Sequence, residues 1–535
     1  MLNQMTIWAQ KRGWLFSAVT TGFFFLALNL LAVPLLNSGD DAYCMYTLAG
    51  GYGEAPTHLV QYKDIWHPVL GWLVSSLFRV APGINWYTIL LLLLHFAGCT
   101  FILYTLTRRL PLVPAIFFFK VFFIFIEARQ LLSLTFTGAA ITASTGGLCL
   151  LLNQFVQQKM KNTNSLLAFL LLILAGMLRQ QVAWLQIALF GSIAIVLLPR
   201  SQWWRYALVM LMSVILLWGL FKLQVMENNR KIPGWAQQEE YRQALFHAYN
   251  RQLVNVPPAG TFADSTEQQL FYAGFLYDSC RFSTEHLKEI GKKITRNRSL
   301  LNPQDRYGLY WFFVEMRVYL LLFAITIILL VAARQYSALR KWLLPLSAYM
   351  AVHTALFLWM KITMPLHLGL LGFLWLGLAI LVQTGTLPLS RNRQWLGFGL
   401  FVLVFVWMLV RLYKENEENK ERRDTFLCAM AQLNKHADKL FVATDDAFPI
   451  HYFYIWDKPG DYPAINLVYK DRMITFTCQK TLQRYGTTDI NTALGANTNI
   501  FLVGKPLPAL ETIASPAKLS APLPGFGCLE VRQLK

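Results

Sequence analysis

WYTILLLLLHFAGCTFILYTLTRR, residues 86 to 109, decides the fold class. From Trp86 to Thr107 it holds no Asp, Glu, Lys or Arg, and it ends on Arg108-Arg109. A helix rises ~1.5 Å per residue, so roughly 20 apolar residues cross the hydrocarbon core of a bilayer. No water is available there to satisfy backbone polar groups, so such a run must be helical. The closing basic pair marks its cytoplasmic end. Comparable runs lie at Trp14–Leu36 and Leu321–Ala333. Composition agrees, with 55% hydrophobic and 14% charged residues and a mean hydropathy of +0.40. A soluble protein carries about 25% charged residues. The chain reads as an α-helical polytopic membrane protein.

Basic clusters supply the topology. Lys11 and Arg12 precede the first span, and Arg108/Arg109, Lys159/Lys161, Arg200/Arg205, Arg334/Arg340/Lys341 and Arg391/Arg393 lie between later apolar runs. With all of them in the cytoplasm, the spans fall at Leu15–Leu36, Trp86–Thr107, Leu112–Ile126, Gly138–Phe155, Leu166–Leu178 and Val182–Leu198, then Tyr206–Leu223, Trp311–Ala332, Trp342–Met360, Leu366–Val382 and Trp395–Val410. That is about eleven helices, with the amino terminus inside and the carboxyl terminus outside. The first run is long and lacks a small-residue cleavage site, so it is expected to stay as an uncleaved signal anchor.

Three polar segments then face outward. In residues 37–85, the stretch His67–Val80 is apolar but short and is succeeded by Ala81-Pro82-Gly83; it predicts a helix lying in the membrane interface. Residues 224–310 contain helix-like stretches such as Gln237–Tyr249. Beyond a transmembrane unit of residues 1–413, residues 414–535 read as a small extracytoplasmic α/β domain. It opens on a charged helical connector, Lys414–Asp424, with Asp424–Asn434 helical and Leu440–Ala443 and Ile500–Val503 as short strands.

The net charge of +19 comes from 48 Lys+Arg against 29 Asp+Glu. Much of the excess sits between apolar runs, where topology explains it better than nucleic-acid binding. Of the seven cysteines, Cys99 and Cys149 fall inside apolar runs as packing residues. Cys428, Cys478 and Cys528 fall in the polar tail and leave room for one disulfide. No CxxC or His/Cys cluster points to zinc. The surplus of 38 Phe, 22 Tyr and 17 Trp fits lipid-facing surfaces and interfacial belts.

Gly39-Asp40-Asp41-Ala42-Tyr43, directly after the first span, is the strongest local signal. On its own an acidic pair there fits a helix start, where carboxylates meet free amides and the positive end of the dipole. The residues downstream strengthen it: a turn at Gly50-Gly51-Tyr52-Gly53, then Tyr62-Lys63-Asp64, His67-Pro68-Val69-Leu70, the interfacial segment, and a span ending in Arg108-Arg109. This order resembles the first outward loop of the GT-C superfamily of membrane glycosyltransferases, above all bacterial relatives of the protein O-mannosyltransferases and the lipid A aminoarabinose transferase. Asp41 stands where Glu is common, Lys63 where Arg is common, and Val69 where a second Pro stands. The likeness covers residues 37–110 well and the remaining spans by topology only.

The resemblance implies transfer of a sugar from a polyprenyl-phosphate carrier to an envelope acceptor (glycolipid, polysaccharide or protein) on the outward face. It implies no metal and no cofactor. An attacking hydroxyl needs a general base within hydrogen-bond reach; Asp40 takes that role by position and Asp41 orients, or the two exchange roles. If their side chains converge, they titrate as a pair. Tyr43, Lys63, Asp64 and His67 complete the substrate loop. The leaving phosphate calls for cationic donors. Arg129-Gln130 and Arg179-Gln180 lie at outward ends of two spans, with Lys361 and His367 as weaker candidates. Snorkelling to headgroups is the plain alternative for each arginine. Glu315 and Arg317 enter a span together and are expected to form a structural ion pair. Asp445-Asp446 fits a solvated loop as readily as a metal site.

Two other classes compete. A transporter or flippase of lipid-linked saccharides would need broken helices, a midplane site and often repeated halves; here no repeat is visible and the charges gather at outward ends. A membrane-anchored assembly protein would explain the tail but gives Asp40-Asp41 no purpose.

Overall fold

Capping residues and prolines punctuate the helices where the sequence turns polar. The structure, a computed structural model, describes residues 11–60, 65–158, 162–252, 257–276, 281–296, 303–359, 362–382, 391–443, 448–469, 476–488, 490, 494, 499–505, 507–513, 518–526 and 528–534. Lys63, Asp64, Lys361 and the Asp445-Asp446 pair fall outside them.

Among the described residues, seven helices are long and apolar enough to cross a membrane. They are Gly13–Leu31, Trp86–Arg109, Phe136–Gln157, Gln180–Leu197, Arg200–Lys231, Val314–Ala332 and Met364–Leu381. The four other expected spans are helical too, with features that explain the difference. The third is Leu112–Phe122, continued by a π-turn at Phe123–Glu127 and a short helix, Ala128–Leu132. The fifth, Asn162–Leu178, has 17 residues. The ninth, Tyr336–Trp359, has Pro345 inside it. The eleventh is the front of one 45-residue helix, Arg391–Lys435, which runs without a break past residue 414.

Small residues set the closest packing in the bundle. A Cβ on Gly98 would stand 2.4 Å from the Thr142 carbonyl oxygen, and one on Gly146 would stand 2.4 Å from that of Gly98. Trp86–Arg109 and Phe136–Gln157 thus touch backbone to backbone, the contact small residues permit between membrane helices. Beside it, His95 Nδ1 meets Glu127 Oε1 at 2.7 Å, and the Thr142 hydroxyl donates to Glu127 Oε2 at 2.8 Å, all buried.

The helix Pro68–Val80 buries Leu70, Val74 and Phe78 against the body and exposes Val69, Trp72 and Leu73. An apolar face left outward on a helix of this length fits the membrane interface.

The polar segments gather at one end of the bundle. The tail forms a four-stranded sheet in the order β4 (Leu467–Val468), β3 (Leu440–Ala443), β5 (Ile500–Val503), β6 (Val531–Arg532). Its first three strands are parallel and β6 is antiparallel. Strand side chains alternate faces, and both faces are covered. Leu440, Val442, Ile500 and Leu502 pack with the loop helices Trp235–Gln252, Ser265–Ala273 and Thr284–Arg296. Phe441, Ala443, Phe501 and Val503 face the larger core shared with the helical body. The tail also grips the first loop: Lys480 pairs with Glu54 at 2.8 Å, and Arg484 donates to the carbonyls of Tyr52 and Gly53. All three polar segments therefore share one side. Cys428 and Cys528 are joined by a disulfide.

Candidate active site at the Asp40–Asp41 turn

Ser38 and Asp41 start the helix Gly39–Ala49 together. The Asp41 amide donates to Ser38 Oγ at 3.1 Å, and the Ser38 hydroxyl donates back to Asp41 Oδ2. Ser38 is thus the helix N-cap, and Asp41 fixes the orientation of its hydroxyl. Gly50, at φ +84°, ends the helix in the left-handed region that favours glycine.

Asp41 is fully buried, and its other oxygen serves distant partners. Oδ1 accepts from the Tyr87 hydroxyl at 2.6 Å and from the Phe136 amide at 2.8 Å. Burial pushes its carboxyl up to about 7, against the pull of the Ser38, Tyr87 and Phe136 hydrogen bonds; the Asp40 charge adds to the rise. Asp41 is thus a tie between the first loop, the span after it and the next polar helix start. Asp40 remains half-buried at the same helix end, the more accessible carboxylate of the pair.

Two short strands bring this turn against the helix Phe136–Gln157. β1 (Leu35–Leu36) pairs with β2 (Ser133–Leu134), and Thr135 caps the helix by accepting from the Gly138 amide at 3.0 Å. Arg179 reaches the same first turn: its guanidinium donates to Thr137 Oγ1 and lies 5.5 Å over the Phe136 ring. Gln130 Oε1 lies 2.8 Å from where a Cβ on Gly138 would stand, and glycine leaves that room. Gln130 is buried, and neither its carboxamide nitrogen nor its oxygen has a hydrogen-bond partner among the described residues. Asp41, Gln130 and Arg179 therefore converge on one helix amino terminus, with the half-buried Asp40 adjacent to Asp41 in sequence, and amides and dipole there favour an anion.

Other expected site residues are engaged elsewhere. Arg129 grips Glu415 with two nitrogens, Nε at 3.1 Å and Nη2 at 2.5 Å, and donates to the Tyr319 hydroxyl at 3.1 Å. Arg129, expected to hold phosphate, is engaged in an internal ion pair. Gln180 donates its amide to the Leu217 carbonyl at 2.9 Å and so holds two helices together. His67 caps Pro68–Val80 through Nδ1 and donates Nε2–H to the Leu220 carbonyl at 2.9 Å. Burial lowers its pKa, which suits that neutral, structural use. His367 lies against His353, at 3.2 Å. Tyr43 is buried in the core. The expected Glu315/Arg317 pair is also corrected: Glu315 pairs with Arg411, and Arg317 sits over the Trp407 ring.

Sequence reasoning passes over Ser38, Tyr87, Trp66 and Thr137. Ser38-Gly39-Asp40-Asp41 does carry an N-cap signal. Trp66 is buried at φ +52° and stacks on Tyr87 at 4.9 Å. A bulky residue in that region costs energy and persists where the surroundings demand it. The chain matches no protein-family model, and no curated protein or solved structure matches it.

Proposed function

We propose that the protein is a membrane glycosyltransferase of GT-C type, moving a sugar from a polyprenyl-phosphate carrier to an envelope acceptor on the outward face of the membrane. The observation that carries this reading is the convergence of Asp41, Gln130 and Arg179 on the first turn of Phe136–Gln157, with Asp40 the neighbour of Asp41 in the chain. A phosphate leaving group needs the cationic and amide donors of that corner. The acceptor hydroxyl needs a base beside them. Asp40, the accessible carboxylate, abstracts its proton while Asp41 fixes the turn. Arg179 and Gln130, at the positive end of that helix dipole, take the charge that develops as the sugar–phosphate bond breaks.

Residence in a bacterial inner membrane with about eleven spans and an outward active site belongs to the same proposal. Its supports are the basic inward loops and the Cys428–Cys528 disulfide, which suits an oxidising compartment. A transporter would claim the buried His95–Glu127 pair. That pair lies where helices meet backbone to backbone at Gly98 and Gly146, a contact unlike an alternating-access pathway.

The deciding experiment incubates purified protein with a panel of polyprenyl-phosphate sugars and tracks loss of sugar from the lipid. Turnover of at least one donor by wild type, abolished in Asp40→Asn, is the expected result. No loss from any donor, with transport of a lipid-linked saccharide in vesicles, would sink the reading.

A further inference from the structure

We infer that Asn419, on the long helix leading into the tail, is a positioning residue for the Asp40–Asp41 turn. This role rests on the function proposed above and goes beyond the residues that face substrate.

Its Nδ2 donates to two carbonyls at once, those of Val33 and Leu132, each at 3.0 Å. Val33 leads into strand β1 and Leu132 into strand β2, the pair that sets Asp41 against the Phe136 amide. One carboxamide therefore pins the entrances of both strands. Three residues earlier, Asn416 Oδ1 accepts the Val33 amide at 2.7 Å. Glu415 beside it holds Arg129, in the short helix that leads into β2. Asn419 stands four residues from Glu415 and three from Asn416, the spacings that make helix-surface neighbours, so adjoining positions of this helix clamp both arms of the site. Both asparagines are buried, 3% and 7% exposed, so water replaces none of these bonds cheaply.

The same helix is rigidly continuous with the tail, whose own backbone flanks β1. The Leu36 amide donates to the Phe453 carbonyl at 2.9 Å, and the Ile455 amide to the Pro34 carbonyl at 3.3 Å. The tail thus acts on the reacting carboxylate from two directions without supplying a reacting group.

Donor direction gives the test its edge. Asn419 acts as a donor, whereas Asn416 acts as an acceptor. Asn416→Asp keeps its bond to the Val33 amide. Asn419→Asp turns both bonds into oxygen–oxygen repulsion, with the same added charge on the same helix face. Asn419→Leu removes the donors without adding charge. The full-length protein in nanodiscs would be monitored by hydrogen–deuterium exchange and by turnover with a polyprenyl-phosphate sugar. Both Asn419 variants should speed exchange across residues 33–43 and 132–138 by about tenfold or more. They should also lower kcat by about 10²-fold with donor KM little changed, as misplacement by an ångström does. Asn416→Asp should stay near wild type in both readouts. Wild-type exchange in Asn419→Leu overturns the proposal. So does an Asn416→Asp as impaired as Asn419→Asp, which would mean that charge matters rather than donors. Exchange raised throughout the tail and spans overturns it as well, in favour of a general folding role. Should wild type turn over no donor, the glycosyltransferase reading falls while the exchange result still judges the clamp.

Discussion

Neutralising Asp40 and Asp41 one at a time separates chemistry from architecture. Asp40 is half-buried in the first turn of Gly39–Ala49; as a dipole partner it contributes only ~0.3–1 kcal/mol of stability. As general base it supplies ~10²–10⁴-fold in rate. Asp40→Asn should therefore leave a folded, donor-binding protein with kcat lowered by that factor. Asp41 differs because its partners come from three places: Ser38, Tyr87 and the Phe136 amide. An Asn there keeps an oxygen for Tyr87 and Phe136, and the rotatable Ser38 hydroxyl can turn from donating to the carboxyl to accepting from the Asn amide. Asp41→Asn should stay stable and keep turnover within about tenfold, since the reacting group is elsewhere. Asp41→Ala strands two buried donors at ~1–3 kcal/mol each, so it should lose ~2–6 kcal/mol and melt visibly earlier. Thermal unfolding in detergent and single-turnover transfer from a polyprenyl-phosphate sugar read both quantities. A dead Asp41→Asn beside an active Asp40→Asn would move the base to Asp41. Normal turnover in both would refute the assignment and bring the flippase reading forward.

Arg179→Lys keeps charge but loses the planar fork, so donor use should weaken in it and weaken further in Arg179→Ala; unchanged donor affinity in both would refute a phosphate role. Arg129→Met removes the closer of two arginine partners of Glu415, which keeps Arg411 at 3.5 Å, so it should cost less than the ~3–5 kcal/mol of a fully stranded buried charge, and thermal unfolding should register a small loss. Folded Asp41 holds its proton up to about 7, against 3.8 for the ordinary carboxyl. Between those values the folded state binds more protons than the unfolded state, so stability falls as pH rises through that window; Asp41→Asn should flatten the slope of Tm against pH. Breaking Cys428–Cys528 by Cys528→Ser should cost ~2–4 kcal/mol, and thiol labelling of wild type should reach Cys428 only after reduction.

The helical architecture is legible because membrane insertion writes itself into composition. Trp86–Thr107 needs only its own length and apolarity to be read as a span. The π-turn at Phe123–Glu127 is not legible, since FIFIE has no residue that forbids an ordinary α-turn. That extra residue changes which way Glu127 and Arg129 face: the first turns inward to His95 and the second to Glu415. Closeness in sequence suggests a pair between Glu315 and Arg317. Residues two apart on a helix do not face each other, and each finds its partner on the long helix instead.

At the site, the sequence locates the turn but not what holds it. Asp40 and Asp41 are adjacent letters with opposite fates, because consecutive helical residues point about 100° apart; one faces the core and the other stays accessible. The partners that decide this are remote: Tyr87 lies 46 residues from Asp41, Phe136 lies 95, and Glu415 lies 286 from Arg129. No local pattern encodes such pairings. The Ser38 cap does follow a local pattern, and it shows how a plain structural motif and the proposed catalytic one can share a stretch. Ser38 caps the Asp41 amide and Asp41 holds the Ser38 hydroxyl, while Asp40 sits at the same positive end of the dipole. Under the proposed function the half-buried Asp40 is the acid left to abstract a proton, since Asp41 is tied to Ser38, Tyr87 and the Phe136 amide.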